Sequence, residues 1–105
     1  MKVLIVEDYG HEALLLESLC ASVGAETNIV PTMAQAKALI CAKLSYDIVF
    51  LDLGLTDSSP RETIDAVPHL KYFSRIVIVT GYENPEFREA ADEADSYLLK
   101  NDPDY

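Results

Sequence analysis

The chain has 105 residues, of which 18 are acidic and 8 are lysine or arginine, giving a formal charge of −10. A chain of this length buries roughly 65% of the surface it exposes when unfolded, enough for one modest core and a single domain over 1–105. So negative a surface repels nucleic-acid phosphates and anionic lipid alike, which speaks against direct binding to either.

In chain order, strand-like and helix-like segments alternate. Val3-Leu4-Ile5-Val6 is a wholly apolar run that ends in two acids, Glu7 and Asp8. Leu16, Leu19, Cys20 and Val23 then recur at helical spacing, and Gly24 stops the pattern, predicting a helix over 10–23. Glu26 to Val30 is a more polar strand closed by Pro31, as suits a sheet edge. Thr32-Met33-Ala34-Gln35 fits a capping box, and Ala36, Leu39, Ile40 and Lys43-Leu44 supply the buried stripe of the helix it opens.

Ile48-Val49-Phe50-Leu51 is short enough for a buried strand and ends abruptly in Asp52, with Gly54 two residues on. Thr56 to Ser59 reads as a turn, and Pro60 suits the first position of a third helix. Pro68 lacks the amide that would bond to the preceding turn, so that helix should end or kink near Val67. Ile76-Val77-Ile78-Val79 is the next buried strand and ends at Thr80-Gly81. An acidic helix over 85–94 and a last strand over 96–99, delivering Lys100, complete the pattern.

Apolar inner strands alternating with helices predict a parallel sheet covered on both faces. Right-handed crossovers favour a flavodoxin-like, doubly wound α/β sheet of five strands in the order 2-1-3-4-5, with four helices and no fifth. In that order the first and third strands are neighbours and the sheet reverses between them. Glu7, Asp8 and Asp52 therefore converge on the crevice beyond the strand ends, where open α/β sheets bind ligands.

Carboxylates in one cleft repel: two unit charges about 4 Å apart cost about 4 kcal/mol at an effective dielectric of 20. The cluster calls for a cation, and an all-oxygen donor set suits a hard ion such as Mg2+. Across the cleft, Thr80 and Lys100 offer a hydroxyl and an ammonium, the donors that a phosphoryl group on Asp52 would need. Each residue alone has an ordinary structural reading; the joint placement is what points to phosphoryl chemistry.

Val-Leu-Ile-Val-Glu-Asp at 3–8, Asp-Ile-Val-Phe-Leu-Asp-Leu-Gly-Leu at 47–55, Val-Ile-Val-Thr-Gly at 77–81 and Tyr-Leu-Leu-Lys at 97–100 resemble the receiver (response-regulator) domain of bacterial two-component signalling. The resemblance spans essentially the whole chain. It implies a stand-alone phospho-receiver in a phosphorelay, in which Asp52 accepts a phosphoryl group from phosphohistidine on a sensor histidine kinase or phosphotransfer protein. It further implies Mg2+ held by Glu7, Asp8, Asp52 and the Gly54 carbonyl, phosphoryl oxygens held by Thr80 and Lys100, and Tyr97 as the aromatic whose rotamer follows Thr80. Such a domain is a signalling protein rather than an enzyme, apart from slow self-catalysed phosphorylation and dephosphorylation, and acts on a downstream protein target.

The chain also departs from that pattern. Asn101 follows Lys100 where receivers usually carry a proline after a cis peptide, and a cis bond before a non-proline residue costs about 2.5–4 kcal/mol. Thr56 and Ser59-Pro60 stand where a proline and a glycine pair are common, and Tyr82 reads as a solvent-facing loop aromatic. Residues 101–105 are too short, acidic and proline-broken for the usual fifth helix. The apolar flank that helix would cover is expected to take a second copy or a partner's helix.

Two alternatives stand beside the phospho-receiver. One is a non-phosphorylated pseudo-receiver that serves as a docking module. The other is an aspartate-nucleophile phosphohydrolase, which generally places a second aspartate where this chain has Gly54. Cys20 and Cys41 lack metal-ligand spacing and read as reduced, buried thiols, and His11 and His69 as surface residues. With no signal-peptide cleavage pattern and no apolar run near the ~20 residues of a membrane span, the expected location is the cytoplasm.

Overall fold

The computed structural model describes residues 1–42, 46–81 and 84–100, with the side chain of Cys41 left aside. The expectations that fall on Lys43-Leu44, Cys41, Tyr82 and Asn101 to Tyr105 lie outside the described residues. Strands β1 (Lys2–Val6), β2 (Glu26–Val30), β3 (Ile48–Asp52), β4 (Arg75–Thr80) and β5 (Ser96–Leu99) alternate with helices α1 (Gly10–Ser22), α2 (Met33–Cys41), α3 (Pro60–Leu70) and α4 (Pro85–Ala90). The sheet is parallel throughout, in the order β2-β1-β3-β4-β5. This is the doubly wound, flavodoxin-like arrangement expected from the sequence, with four helices among the described residues.

The inner strands are apolar on both sides because helices cover both faces. Leu4, Val6, Val49, Leu51, Ile76 and Ile78 bury against α2 and α3. On the opposite face Val3 and Ile5 meet Ala13, Leu16 and Cys20 of α1. Gly24, at φ +80°, ends α1 in the left-handed conformation that a side chain would strain.

Two expectations about helices need correction. α3 does not stop at Val67 but runs through Pro68 to Leu70. Pro68 sits in the last turn, so only one amide is lost there, and Leu70, 2% exposed, anchors that turn in the core. Lys71 N–H donates to the Val67 carbonyl at 2.8 Å, which closes the helix beyond the proline. α4 is shorter than expected, ending at Ala90, after which Ala94 N–H bonds to the Ala91 carbonyl in a tighter turn.

The start of α2 is capped differently from the expected box. Thr32 Oγ1 accepts from Gln35 N–H at 3.1 Å, but the Gln35 side chain takes the Thr32 hydroxyl rather than a backbone amide. The free amides of Met33 and Ala34 instead donate to the two carboxylate oxygens of Asp57, at 2.9 and 3.0 Å. The reciprocal capping box lies at α3, where Glu62 N–H donates to Ser59 Oγ and Ser59 N–H to Glu62 Oε1, both at 3.1 Å.

Asp57 thus pins the loop after β3 to α2. The Met33 and Ala34 amides hold its carboxyl below the usual 3.8, so its contribution is present at neutral pH and is lost as pH falls through that lowered value. Asp57→Ala is expected to lower stability by about 1 kcal/mol at pH 7, and by less in acid, in urea unfolding.

Candidate functional site

Strand alternation decides which side chains meet. Continuing the pleat of Val3 and Ile5 places Glu7 on the α1 face; Ile48 and Phe50 place Asp52 there, and Leu98 places Lys100 there. Thr80 follows Ile76 and Ile78 onto the other face, with Tyr97 opposite Ile78 on β5. One oxygen each from Glu7, Asp8 and Asp52 lies within 4.8 Å of the others. Glu7 is 3% and Asp52 5% exposed, so most of this negative charge sits out of water.

Lys100 provides the counter-charge. Its Nζ lies 2.6 Å from Glu7 Oε2 and 3.3 Å from Asp52 Oδ1, and it also donates to Glu12 Oε2 of α1. Its N–H bonds to the Thr80 carbonyl at 2.8 Å, which fixes the start of the side chain beside β4. Burial works against the ammonium, but the hydrogen bonds to Glu12 and Glu7 and the field of Asp52 overcome it and raise its pKa.

Glu7 has the opposite difficulty. Burial, with the Asp52 charge added, lifts its pKa from 4.5 to about 7, although Lys100 and the Tyr9 N–H both favour the charged form. A carboxyl that the fold keeps protonated costs stability once the unfolded chain ionises it. Glu7's share of stability should therefore fall as pH rises from 4.5 toward about 7 and level off above. Urea midpoints measured from about pH 5 to about pH 8 test this, and a charge-neutral Glu7→Gln variant should lose that slope.

Gly54 lies against the Asp52 carboxylate. A Cβ built there would sit 3.3 Å from Asp52 Oδ2 and 3.7 Å from Oδ1, so a larger residue would crowd the carboxylate. All donors in the cluster are hard oxygens from carboxylates, and with Gly54 leaving room beside Asp52 they suit a small divalent cation such as Mg2+.

No protein-family model matches the sequence, and no curated protein does. The solved structures are more informative. A response-regulator receiver domain (CheY-like) from Methylobacillus flagellatus is 31% identical, with 97% of this chain aligned to 87% of that one at a TM-score of 0.80. The chain belongs to the receiver-domain family. A signal receiver domain of a histidine kinase from Clostridium thermocellum, 17% identical over 97% of this chain and 86% of its own, shares the fold at a TM-score of 0.82. So does a Thermotoga maritima response regulator solved in complex with Mg2+ and BeF, 24% identical, with coverage of 94% and 85% and a TM-score of 0.81.

Set out as a receiver, the chain brings Glu7, Asp8, Asp52 and Lys100 together, with Gly54 against Asp52. Thr80 is fully buried at the end of β4, one residue beyond the partner of Asp52. Tyr97 is turned toward the core, with the Arg88 guanidinium 5.5 Å from its ring centre, and its buried hydroxyl has no hydrogen-bond partner among the described residues. His11 and His69 are exposed, and Cys20 is a buried free thiol whose pKa burial raises.

Sequence reasoning missed Glu12. It lies one turn before Leu16, whose burial sets the inward face of α1, and that i, i+4 relation was the available signal. Leu19 and Val23, read at one helical spacing with Leu16 and Cys20, are 51% and 78% exposed. With Met1, Phe50 and Leu98 they line an open apolar groove of about 370 Å³ on the α1 face.

Proposed function

We propose that this receiver is a phospho-receiver of two-component signalling, a single domain over 1–105 that works in the cytoplasm. A carboxylate oxygen of Asp52 attacks phosphorus of a phosphohistidine on a sensor kinase or phosphotransfer protein. The P–N bond breaks, its electron pair leaves on the imidazole, and an acyl phosphate forms on Asp52. The observation that carries this reading is the half-enclosed acidic cluster around Asp52 with an ammonium 3.3 Å from its carboxylate.

Glu7, Asp8, Asp52 and the Gly54 carbonyl are the residues that would hold Mg2+, which when bound neutralises charge on phosphoryl oxygens. Lys100 and Thr80 would donate to those oxygens, and a hydrogen bond to a charged group is worth roughly 1.5–3 kcal/mol. Two of them approach the roughly 5.5 kcal/mol needed to move a switch from 1:99 to 99:1. Tyr97, whose hydroxyl is poorly served in its present position, would follow Thr80. The chemistry is acceptance of a group and its slow loss, rather than turnover of a substrate.

Output passes by protein contact. The groove between α1 and β5 suits a partner's amphipathic helix with basic flanks better than a second copy, because two protomers of charge −10 would repel. Sedimentation should therefore find a monomer at high micromolar concentration.

Calorimetric titration with beryllofluoride, a phosphoryl mimic, tests the site. Binding is expected only with Mg2+ present, and not to Asp52→Asn. Metal-independent binding, or none to the wild type, would overturn the reading.

A further inference from the structure

Lys100 is held by more than Glu7 and Asp52. Its ammonium donates hydrogen bonds to Glu7 and, from the first turn of α1, to Glu12, and pairs with Asp52 Oδ1 at 3.3 Å. Carboxylates thus hold it on three sides, and a phosphoryl group would have to draw it toward itself against them. Resting on the phospho-receiver reading, we propose that Glu12 is a positioning residue for Lys100, competing with the phosphoryl group for its ammonium, so that loading the site releases β5 from α1.

The three partners are not equally easy to leave. The side chains of Glu7 and Asp52 are 1% and 7% exposed, so either would be stranded out of water if the ammonium withdrew. Glu12 is 33% exposed and regains water when released. Asp52 moreover exchanges its own charge for that of the phosphoryl group it carries, which keeps Lys100 on its side of the site. Glu12 is therefore the contact given up.

The release has a direction. Glu12 and Leu16 lie on one face of α1, and Leu98 precedes Lys100 by two residues on the same face of the sheet. The Glu12–Lys100 tie thus spans from α1 to β5 at the acceptor end of the apolar groove lined by Leu16, Leu19 and Leu98. Freeing it changes how tightly that end is held, which couples the acceptor to the groove on the α1 face.

The test uses the full chain. In calorimetry at saturating Mg2+, Glu12→Gln should bind beryllofluoride about tenfold more tightly than wild type, the loss of one competing charged hydrogen bond. Its Mg2+ affinity should stay within about twofold, and Glu12→Asp, which keeps the carboxylate, should return beryllofluoride affinity toward the wild-type value. Unchanged or weaker binding by Glu12→Gln overturns the competition, as does an equal gain when Lys100→Met is already present, since the charge would then act without the lysine.

The tie itself is read without ligand, by a double-mutant cycle of Glu12→Gln and Lys100→Met in urea unfolding. Coupling of about tenfold in the unfolding constant is expected, and none overturns the tie. Coupling with no beryllofluoride bound by the wild type would instead sink the phospho-receiver reading and the competition, leaving the tie as structure. Should Lys100→Met fold too weakly for the cycle, the Glu12→Asp rescue decides.

Discussion

Lys100→Met is expected to lose about 3 kcal/mol or more of stability at pH 8, a large part of what a domain of this size has to lose. The methionine keeps the length and much of the packing of the lysine stem but removes the one cation that lies, among the described residues, between Glu7, Glu12 and Asp52. Two of these carboxylates are nearly sealed from water, and stranding a buried charge typically costs 3–5 kcal/mol. The loss should shrink in acid. Glu7 already titrates near 7 with the ammonium beside it, and without it the carboxyl holds its proton to still higher pH, so near pH 6 the burden is lighter. Millimolar Mg2+ should recover part of the stability, because a cation that binds only the folded chain stabilises it by mass action. Urea unfolding at two pH values, with and without Mg2+, measures all three effects. A variant as stable as wild type at pH 8 would show that the cluster does not depend on Lys100.

Asp52→Asn should instead leave stability nearly unchanged while abolishing phosphate acceptance. The substitution removes two opposing terms of similar size: repulsion from Glu7 and Asp8, whose oxygens lie within 4.8 Å, and attraction to Lys100 at 3.3 Å. At an effective dielectric of 20 each is a few kcal/mol, and Glu7's partial protonation trims the repulsion, so the net change should stay within about 1 kcal/mol. The amide oxygen is a poor nucleophile and a weaker ligand for a hard cation. Mg2+ affinity is accordingly expected to fall by about tenfold or more. That contrast would separate the two residues, with Lys100 holding the fold around the cluster and Asp52 supplying its proposed chemistry.

What could be read from the sequence was whatever local pattern determines. Apolar runs that end in Glu7-Asp8, Asp52 and Thr80 fixed the strands, and strand order then followed from the handedness of parallel crossovers, so the acidic cluster was legible before any coordinates. The errors fall where tertiary contacts override a local rule. Pro68 would break an isolated helix, yet burial of Leu70 carries α3 past it. Gln35 looked like the partner of Thr32 in a capping box, but Asp57, more than twenty residues away in the chain, reaches the free amides of α2 first. Leu19 and Val23 share a helical period with Leu16 and Cys20, yet period alone does not say how wide a stripe the sheet will cover. Glu12 was missed for a related reason: a charged residue in the first turn of a helix reads as a favourable dipole contact until the lysine it meets, 88 residues on, is brought across the sheet.

The groove and the acceptor lie on one face of the sheet, and α1 borders both. If Asp52 is phosphorylated as proposed, Lys100 would give a short path to that face, alongside the proposed path on the other face through Thr80 and Tyr97. The two are separable, since Thr80→Ala should leave the Glu12–Lys100 tie in place.

The central claim is that Asp52 accepts a phosphoryl group. Incubation of the wild type with acetyl phosphate and Mg2+, followed by intact-mass measurement, tests it most directly. The account predicts a single phosphate adduct that requires Mg2+, disappears in Asp52→Asn and survives in Glu12→Gln. A wild-type chain that stays unmodified while still binding Mg2+, or an adduct that persists in Asp52→Asn, would contradict it.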